Sequence, residues 1–420
     1  MKRTFLLVGI VCLVAGSLYS AEFVAQPSYV NTNWNTPALW DAGDFPKALG
    51  DVAIITNVYI GNTTGARSIG LNIAATVSAL RVLGATPSNT YVQISDNYTG
   101  NRLYMQSSSG NAQIEGGGYT IHSWGSELSV PLVLVSDTDL RVTTNKIFML
   151  GKSLYGTADL HLYIPRGGGL LAMRVDASPG YSGTVYAEQS AGERILVETQ
   201  VYMLTNATIV IRTGATLLVA TVARLGAEMR MEPGSRMESY YGRNTSNEAP
   251  LVILGGTVTN GTRDNAFMVF RGDVSGTGVL VKVNTGTTGT NYFTGSISPG
   301  LSAGTLTMDE KQGTTRIGMP GAPVTLNIED KDQLELLSMD EAVDLANVRV
   351  RFLTSTEQGT TNWFLTCTSN VVNTLNGIEY APGLTGSVFY EADRVGAVVV
   401  PEPAALMLGA LAVFAAIKRR

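Results

Sequence analysis

The sequence predicts an all-β fold: an elongated parallel β-helix or β-solenoid with a C-terminal β cap. Three observations point that way. Short runs rich in Val, Ile, Leu, Thr and Tyr are split by Gly, Asn, Ser and Asp through the whole interior, the mark of many short strands joined by tight corners. Charged residues make up only 15% of the chain, against roughly 25% in an average soluble protein. Between residues 22 and 397 there is no convincing amphipathic helix; the nearest candidate is 333–346. Hydrophobic content of 45% over 420 residues supplies ample core and rules out wholesale disorder.

The elements follow in order. Strands are expected at 52–60, 90–94, 128–135, 160–164, 184–187, 207–212, 251–254 and 278–283. Loosely similar phrases recur as Gly255-Gly256-Thr257-Val258-Thr259, Gly276-Thr277-Gly278-Val279-Leu280 and Gly304-Thr305-Leu306-Thr307-Met308. A glycine corner takes a backbone conformation that bulkier residues resist, after which apolar residues point inward and each coil buries its face on its neighbours. At roughly 20–25 residues per coil, residues 22–321 hold about 12–15 irregular coils. The Pro-Gly-rich stretch Met319-Pro320-Gly321-Ala322-Pro323 marks a sub-boundary, and 322–397 reads as the last coils with a cap, or as a small separate β-domain. Strands are expected there at 324–328, 348–353 and 363–366.

The two ends read as addresses. Lys2 and Arg3 precede an apolar run at 5–15 and then Gly16-Ser17-Leu18-Tyr19-Ser20-Ala21, the pattern of a secretory signal peptide, residues 1–21, with an imperfect cleavage site because Tyr19 stands at −3; the alternative is an uncleaved N-terminal anchor. Cys12 lies in that run, so cleavage leaves Cys367 alone and no internal disulfide. At the other end Pro401-Glu402-Pro403 is followed by an uncharged apolar run, 404–417, and then Lys418, Arg419 and Arg420. Fourteen residues span roughly 21 Å as a helix, a short membrane segment with basic residues placed for the cytoplasmic side. This three-part order, in residues 398–420, resembles the PEP-CTERM sorting signal of Gram-negative bacteria. The resemblance implies an exosortase-type processing enzyme as partner, removal of the tail, transient anchoring in the inner membrane, and delivery to the cell surface or an exopolysaccharide matrix. A permanent anchor is the plainer reading. Loss of both ends takes the formal charge from −5 to about −9, unsuited to nucleic acid or anionic membranes.

Further stretches carry a second resemblance. Trp34 and Trp40 with Asp41-Ala42-Gly43-Asp44-Phe45-Pro46 and Gly50-Asp51-Val52-Ala53 look like the opening of secreted passenger-type β-helical proteins. Residues 295–307, with Ser298-Pro299-Gly300 and Gly304-Thr305-Leu306-Thr307, resemble an element of the autotransporter-associated β-strand repeat, and Tyr181-Ser182-Gly183-Thr184-Val185 resembles a fragment of it. The chain departs from autotransporters in ending on a short apolar run rather than an outer-membrane barrel.

Chemistry-bearing motifs are sparse. His122 and His161 sit on expected strands without paired spacing. Asp137-Thr138-Asp139 and Asp330-Lys331-Asp332 are D-x-D pairs that could face a Ca²⁺, but neither carries the glycine pattern of calcium-binding β-helix repeats. The Gly116-Gly117-Gly118 and Gly167-Gly168-Gly169 triplets lack the Lys-Ser/Thr of a phosphate loop. Arg271-Gly272-Asp273 falls where a solenoid turn is expected. No catalytic, cofactor or metal residue is assigned; Pro401, Glu402, Pro403, Lys418, Arg419 and Arg420 are the sorting residues. The expectation is a non-catalytic structural or adhesin-like surface protein, with exopolysaccharide or other surface proteins as partners. The alternative is a secreted β-helix lyase or glycoside hydrolase, which needs carboxylates converging in a cleft with shifted pKa values.

Overall fold

The computed structural model describes residues 21–26, 31–57, 67–84, 92–96, 99–117, 126–142, 147–164, 170–188, 194–198, 202–220, 224–239, 245–260, 268–282, 290–300, 304–310, 314–329, 331–337, 342–357 and 360–402. Strands alternate with corners along this length, and the single helical element is the three-residue 3-10 turn Pro37–Leu39. Each coil lays strands on up to three faces, and each strand pairs in parallel with its counterpart one coil away, so the chain is a parallel β-solenoid. Among the described residues the first face has fifteen rungs, from Glu22–Val24 through Val52–Asn57 and Thr138–Val142 to Gly377–Tyr380. Twelve of them fall within 22–321. A second face runs from Asn31–Asn33 to Asn362–Cys367. The third face is broken into short sheets such as Ala75–Val77 to Leu154–Gly156 and Thr245–Asn247 to Thr314–Ile317.

Period-two alternation builds the core. One inward column on the first face reads Ala53, Leu80, Ile114, Leu140, Leu162, Ala187, Ile211, Met231 and Ile253, register partner on register partner, each buried. The second face departs from alternation at Ile147–Leu150, Leu170–Met173 and Thr216–Ala220. There Met149, Ala172 and Leu218 stand opposite the core-facing side chains and are buried as well, so these runs are apolar at consecutive positions.

The glycine phrases sit at the corner between the first and second faces. Leu251–Asn260 and Val274–Lys282 run straight through it, bending at Gly255 (φ +102°) and Gly276 (φ +109°). A Cβ at Gly276 would lie 2.0 Å from the Ile253 carbonyl oxygen, so glycine is required there twice over, by φ and by space. The third phrase is out of step with the other two: it is Gly300 (φ +87°), not Gly304, that bridges to Gly276. The stack needs the left-handed residue at the corner, and Pro299-Gly300 supplies it.

The N-terminal end is sealed by the Trp34–Pro46 segment. The Trp34 and Trp40 rings meet edge to face at 5.1 Å, both buried; Trp34 Nε1 donates to Pro46 O and Trp40 Nε1 to Trp34 O. Asp41 accepts the Val24 N–H on its side chain and donates its own N–H to Val24 O, while Gln26 N–H donates to Leu39 O. The outer edge of the first-face rung is thereby covered at Val24 to Gln26, which limits the addition of a foreign strand there.

The ladder crosses 321/322 without a break, since Ile297 pairs with Leu326 and Val324 with Val348. Met319-Pro320-Gly321-Ala322 is a tight turn closed by a Met319–Ala322 bridge. Residues 322–397 are therefore further coils and a cap, and the candidate helix at 333–346 is instead strand Gln333–Leu337 followed by strand Val343–Asp344. Leu384–Tyr390 and Arg394–Pro401 form an antiparallel hairpin, the latter strand adding antiparallel to Asn362–Cys367 at the end of the second face. Val399 is buried, with Thr356 Oγ1 accepting its N–H and donating to its carbonyl, so the fold runs on through Pro401.

Candidate functional site

The densest arrangement of polar chemistry lies on the solvent side of the first face. Alternation puts Asp139 and Arg141 outward on Thr138–Val142, His161 and Tyr163 on Leu160–Tyr163, Tyr186 on Thr184–Ala187, and Arg230 on Glu228–Met231, with Glu188, Arg212 and Glu232 just past strand ends. Parallel pairing places these in two columns. Asp139 stands over His161, then Tyr186; Arg141 stands over Tyr163. His161 and Tyr186 stack with centroids 4.8 Å apart and planes 11° from parallel. The Arg212 guanidinium lies 4.4 Å from the Tyr186 centroid and that of Arg141 4.7 Å from Tyr163. Each carboxylate on the strip meets a basic group: Glu115 with Arg81, Asp139 with Arg141, Glu188 with His161 Nδ1 at 2.8 Å, Glu232 with Arg212, and Glu228 with Arg230. Because a carboxylate only accepts, His161 Nδ1 carries the proton in that contact.

The electrostatics follow from these contacts. Burial pushes the Asp139 carboxyl up, but hydrogen bonds from Asn111, Arg141 and Gln113 and the Arg141 charge outweigh it, and its pKa falls below 3.8. Burial, with the Asp139 and Glu188 charges, raises the Tyr163 hydroxyl. Both faces of the Tyr186 ring are taken up within the strip, by His161 from the coil before and by Arg212 from the coil after, which ties three successive coils into one outer wall.

The motif residues have structural partners. Asp137 Oδ1 accepts the Asp159 N–H and Asp159 Oδ1 accepts the Thr184 N–H, so Asp137 ties one coil's corner to the next while Asp139 serves the strip. Asp332 is buried and accepts the Glu329 N–H; Asp330 lies outside the described residues. Asp273, of the Arg-Gly-Asp triplet, accepts both N–H and Oγ–H of Ser296, and a Cβ at Gly272 would strike Ala249 O at 2.2 Å; the triplet is a corner of the stack. Tyr181 is buried, its hydroxyl donating to Thr184 O beside Gly183, which accounts for that motif as core and turn. Cys367 is buried, and burial raises its thiol pKa. Among the described residues no group of three or more His, Cys, Asp or Glu side chains is placed to hold a metal ion. His122, Gly118 and Gly167-Gly168-Gly169 lie outside the described residues.

Of the sorting residues, Pro401 ends the cap strand opposite Leu384, and the Glu402 N–H donates to Gly383 O at 2.8 Å. Pro403, Lys418, Arg419 and Arg420 lie outside the described residues, as do residues 1–20; no described helix is long and apolar enough to cross a membrane. Sequence reasoning missed the outer strip as a unit. Its signal is present only when outward positions are aligned at the true coil spacings, which put Asp139, His161 and Tyr186 in one column.

Fold and surface together define the class: a parallel β-solenoid with an internally paired outer wall. No protein family, curated protein or solved structure matches the chain.

Proposed function

We propose that this chain is an exported, non-catalytic β-solenoid, a structural or adhesin-like rod of the bacterial cell surface or exopolysaccharide matrix. On this reading residues 1–21 export it and the Pro401-Glu402-Pro403 segment is its sorting signal. An exosortase-type enzyme processes it from a transient inner-membrane anchor, and the rod's partners are exopolysaccharide or neighbouring surface proteins. The observation that carries the reading is the charge pairing on the outer wall. Catalysis on glycans needs acidic groups left poised toward substrate with pKa values pulled apart, whereas Glu115, Asp139, Glu188, Glu228 and Glu232 are each matched to a basic neighbour. The test is a chain spanning residues 22–402, which keeps the cap strand, incubated with acidic and neutral glycans with and without Ca²⁺. No reducing ends or unsaturated products are expected; their release assigns a lyase or hydrolase instead. For the sorting half, Glu402→Ala or deletion of Lys418, Arg419 and Arg420 leaves unprocessed protein in the membrane fraction. Unchanged surface delivery overturns it.

A further inference from the structure

We infer that the C-terminal end of the solenoid is a bilayer-apposed surface, seated in the headgroup layer of the membrane entered by the apolar stretch 404–417. This rests on the reading of that stretch as a membrane segment. The first support is tether length. The last hydrogen bond of the folded body is Glu402 N–H to Gly383 O, and two residues of backbone cover at most ~7 Å. A headgroup layer is roughly 5–8 Å deep on each side of the hydrocarbon. A body held by so short a tether lies against the bilayer when the segment is inserted.

The second support is what this end presents. Of the nine large apolar side chains exposed among the described residues, five lie here: Leu353, Val372, Ile378, Phe389 and Tyr390. Ile378 is the informative one. Its register partner Val350 is fully buried in the core, yet Ile378, one rung further on, is 41% exposed because the stack stops there. The hairpin covers the second face only. Among the described residues no strand pairs with the outer edges of Gly377–Tyr380 or Leu384–Tyr390. Open N–H and C=O groups exclude burial in hydrocarbon, but a wet headgroup layer satisfies them while receiving Phe389 and Tyr390, the residue types that favour that depth.

The third support is charge. Between residues 377 and 402 the ionisable side chains of Asp, Glu, Lys and Arg are Glu379, Glu391, Asp393 and Glu402 against Arg394. A net acidic end is repelled by anionic lipid, so the surface fits a zwitterionic bilayer.

The experiment uses the full chain in phosphatidylcholine vesicles carrying a headgroup spin label, with Phe389→Trp as reporter and Tyr202→Trp, exposed on the third face far along the stack, as control. Quenching several-fold greater at position 389 than at 202, weakened when phosphatidylserine replaces half of the lipid, is the expected result. Equal quenching at both positions in vesicle-bound protein overturns the apposed surface and leaves the membrane segment standing. Failure of the full chain to float with vesicles overturns both. A vesicle-free dimer abolished by Ile378→Asp assigns the open end to a second copy and overturns the bilayer seat.

Discussion

Single residues show where the stack tolerates no substitute. Gly276 combines φ +109° with a Cβ position 2.0 Å from backbone. Gly276→Val is expected to destabilise by about 2–4 kcal/mol, since strain of ~1–3 kcal/mol adds to the shift needed to relieve the clash. Gly110 has φ +67° and open space around it, so Gly110→Ala costs about 1 kcal/mol from the backbone alone. Denaturant unfolding of the two variants separates strain from collision. Asp139 gives a pH signature. Its folded pKa lies below the unfolded value, so the stability it confers is full above the unfolded pKa near 3.8 and is lost as pH falls through the depressed folded value. Asp139→Asn therefore lowers stability at neutral pH, and the gap from the parent closes in acid; thermal melts across that range check the sign. Cys367 is expected to resist thiol reagents in the native protein and to react on unfolding, because it is buried and its thiol is held in the protonated form.

At the scale of elements, the outer wall divides its work unequally. The Arg212–Glu232 pair is 2.5 Å long but partly exposed, and such pairs contribute about 0–1 kcal/mol. Arg212→Met, which keeps the stem over Tyr186, costs less than Tyr186→Ala, which removes a ring shared by His161 and Arg212; chemical unfolding should rank them in that order. How much of this was legible depends on which interactions stay within one strand. Inward alternation at Leu160 and Leu162, or at Val324, Leu326 and Ile328, is written locally, and strands fall there at Leu160–Tyr163 and Val324–Ile328. The wall was hidden because it depends on register between coils of unequal length. Successive partners lie 22 residues apart from Asp139 to His161, 25 from His161 to Tyr186 and 20 from Val210 to Arg230. The same irregularity put Gly304 in phase with Gly276 by phrase, while the fold uses Gly300. Pro401 closes the strand Arg394–Pro401, a strand-end position where proline is tolerated.

Across the whole molecule, coil length varies without disturbing the stack. The longest step on the first face is 34 residues, from Ala79 to Gln113, and the rungs on either side remain in parallel register. Extra residues are taken up between rungs, where lengthening costs little entropy. The cap hairpin is held by packing and by the Thr356 hydroxyl, which serves both backbone groups of Val399. Thr356→Val takes the hydroxyl partner from the buried Val399 N–H, while the Val399 carbonyl keeps the Thr356 N–H, and is expected to cost about 1–3 kcal/mol. Hydrogen exchange at Val399 rises with it, while exchange in the Trp34–Trp40 segment stays unchanged.

The tryptophan seal at one end, set against an unfinished last rung at the other, gives the rod a polarity. Each parallel rung offers a template to the next in only one direction once the first edge is closed, so the chain acquires a starting block and a growing front. Ordering is then expected to proceed from the leading residues toward the trailing ones. Pulse-labelled exchange during refolding should protect Val52–Asn57 before Val348–Phe352. Trp34→Ala should delay both, and the reverse order of protection would refute directional growth.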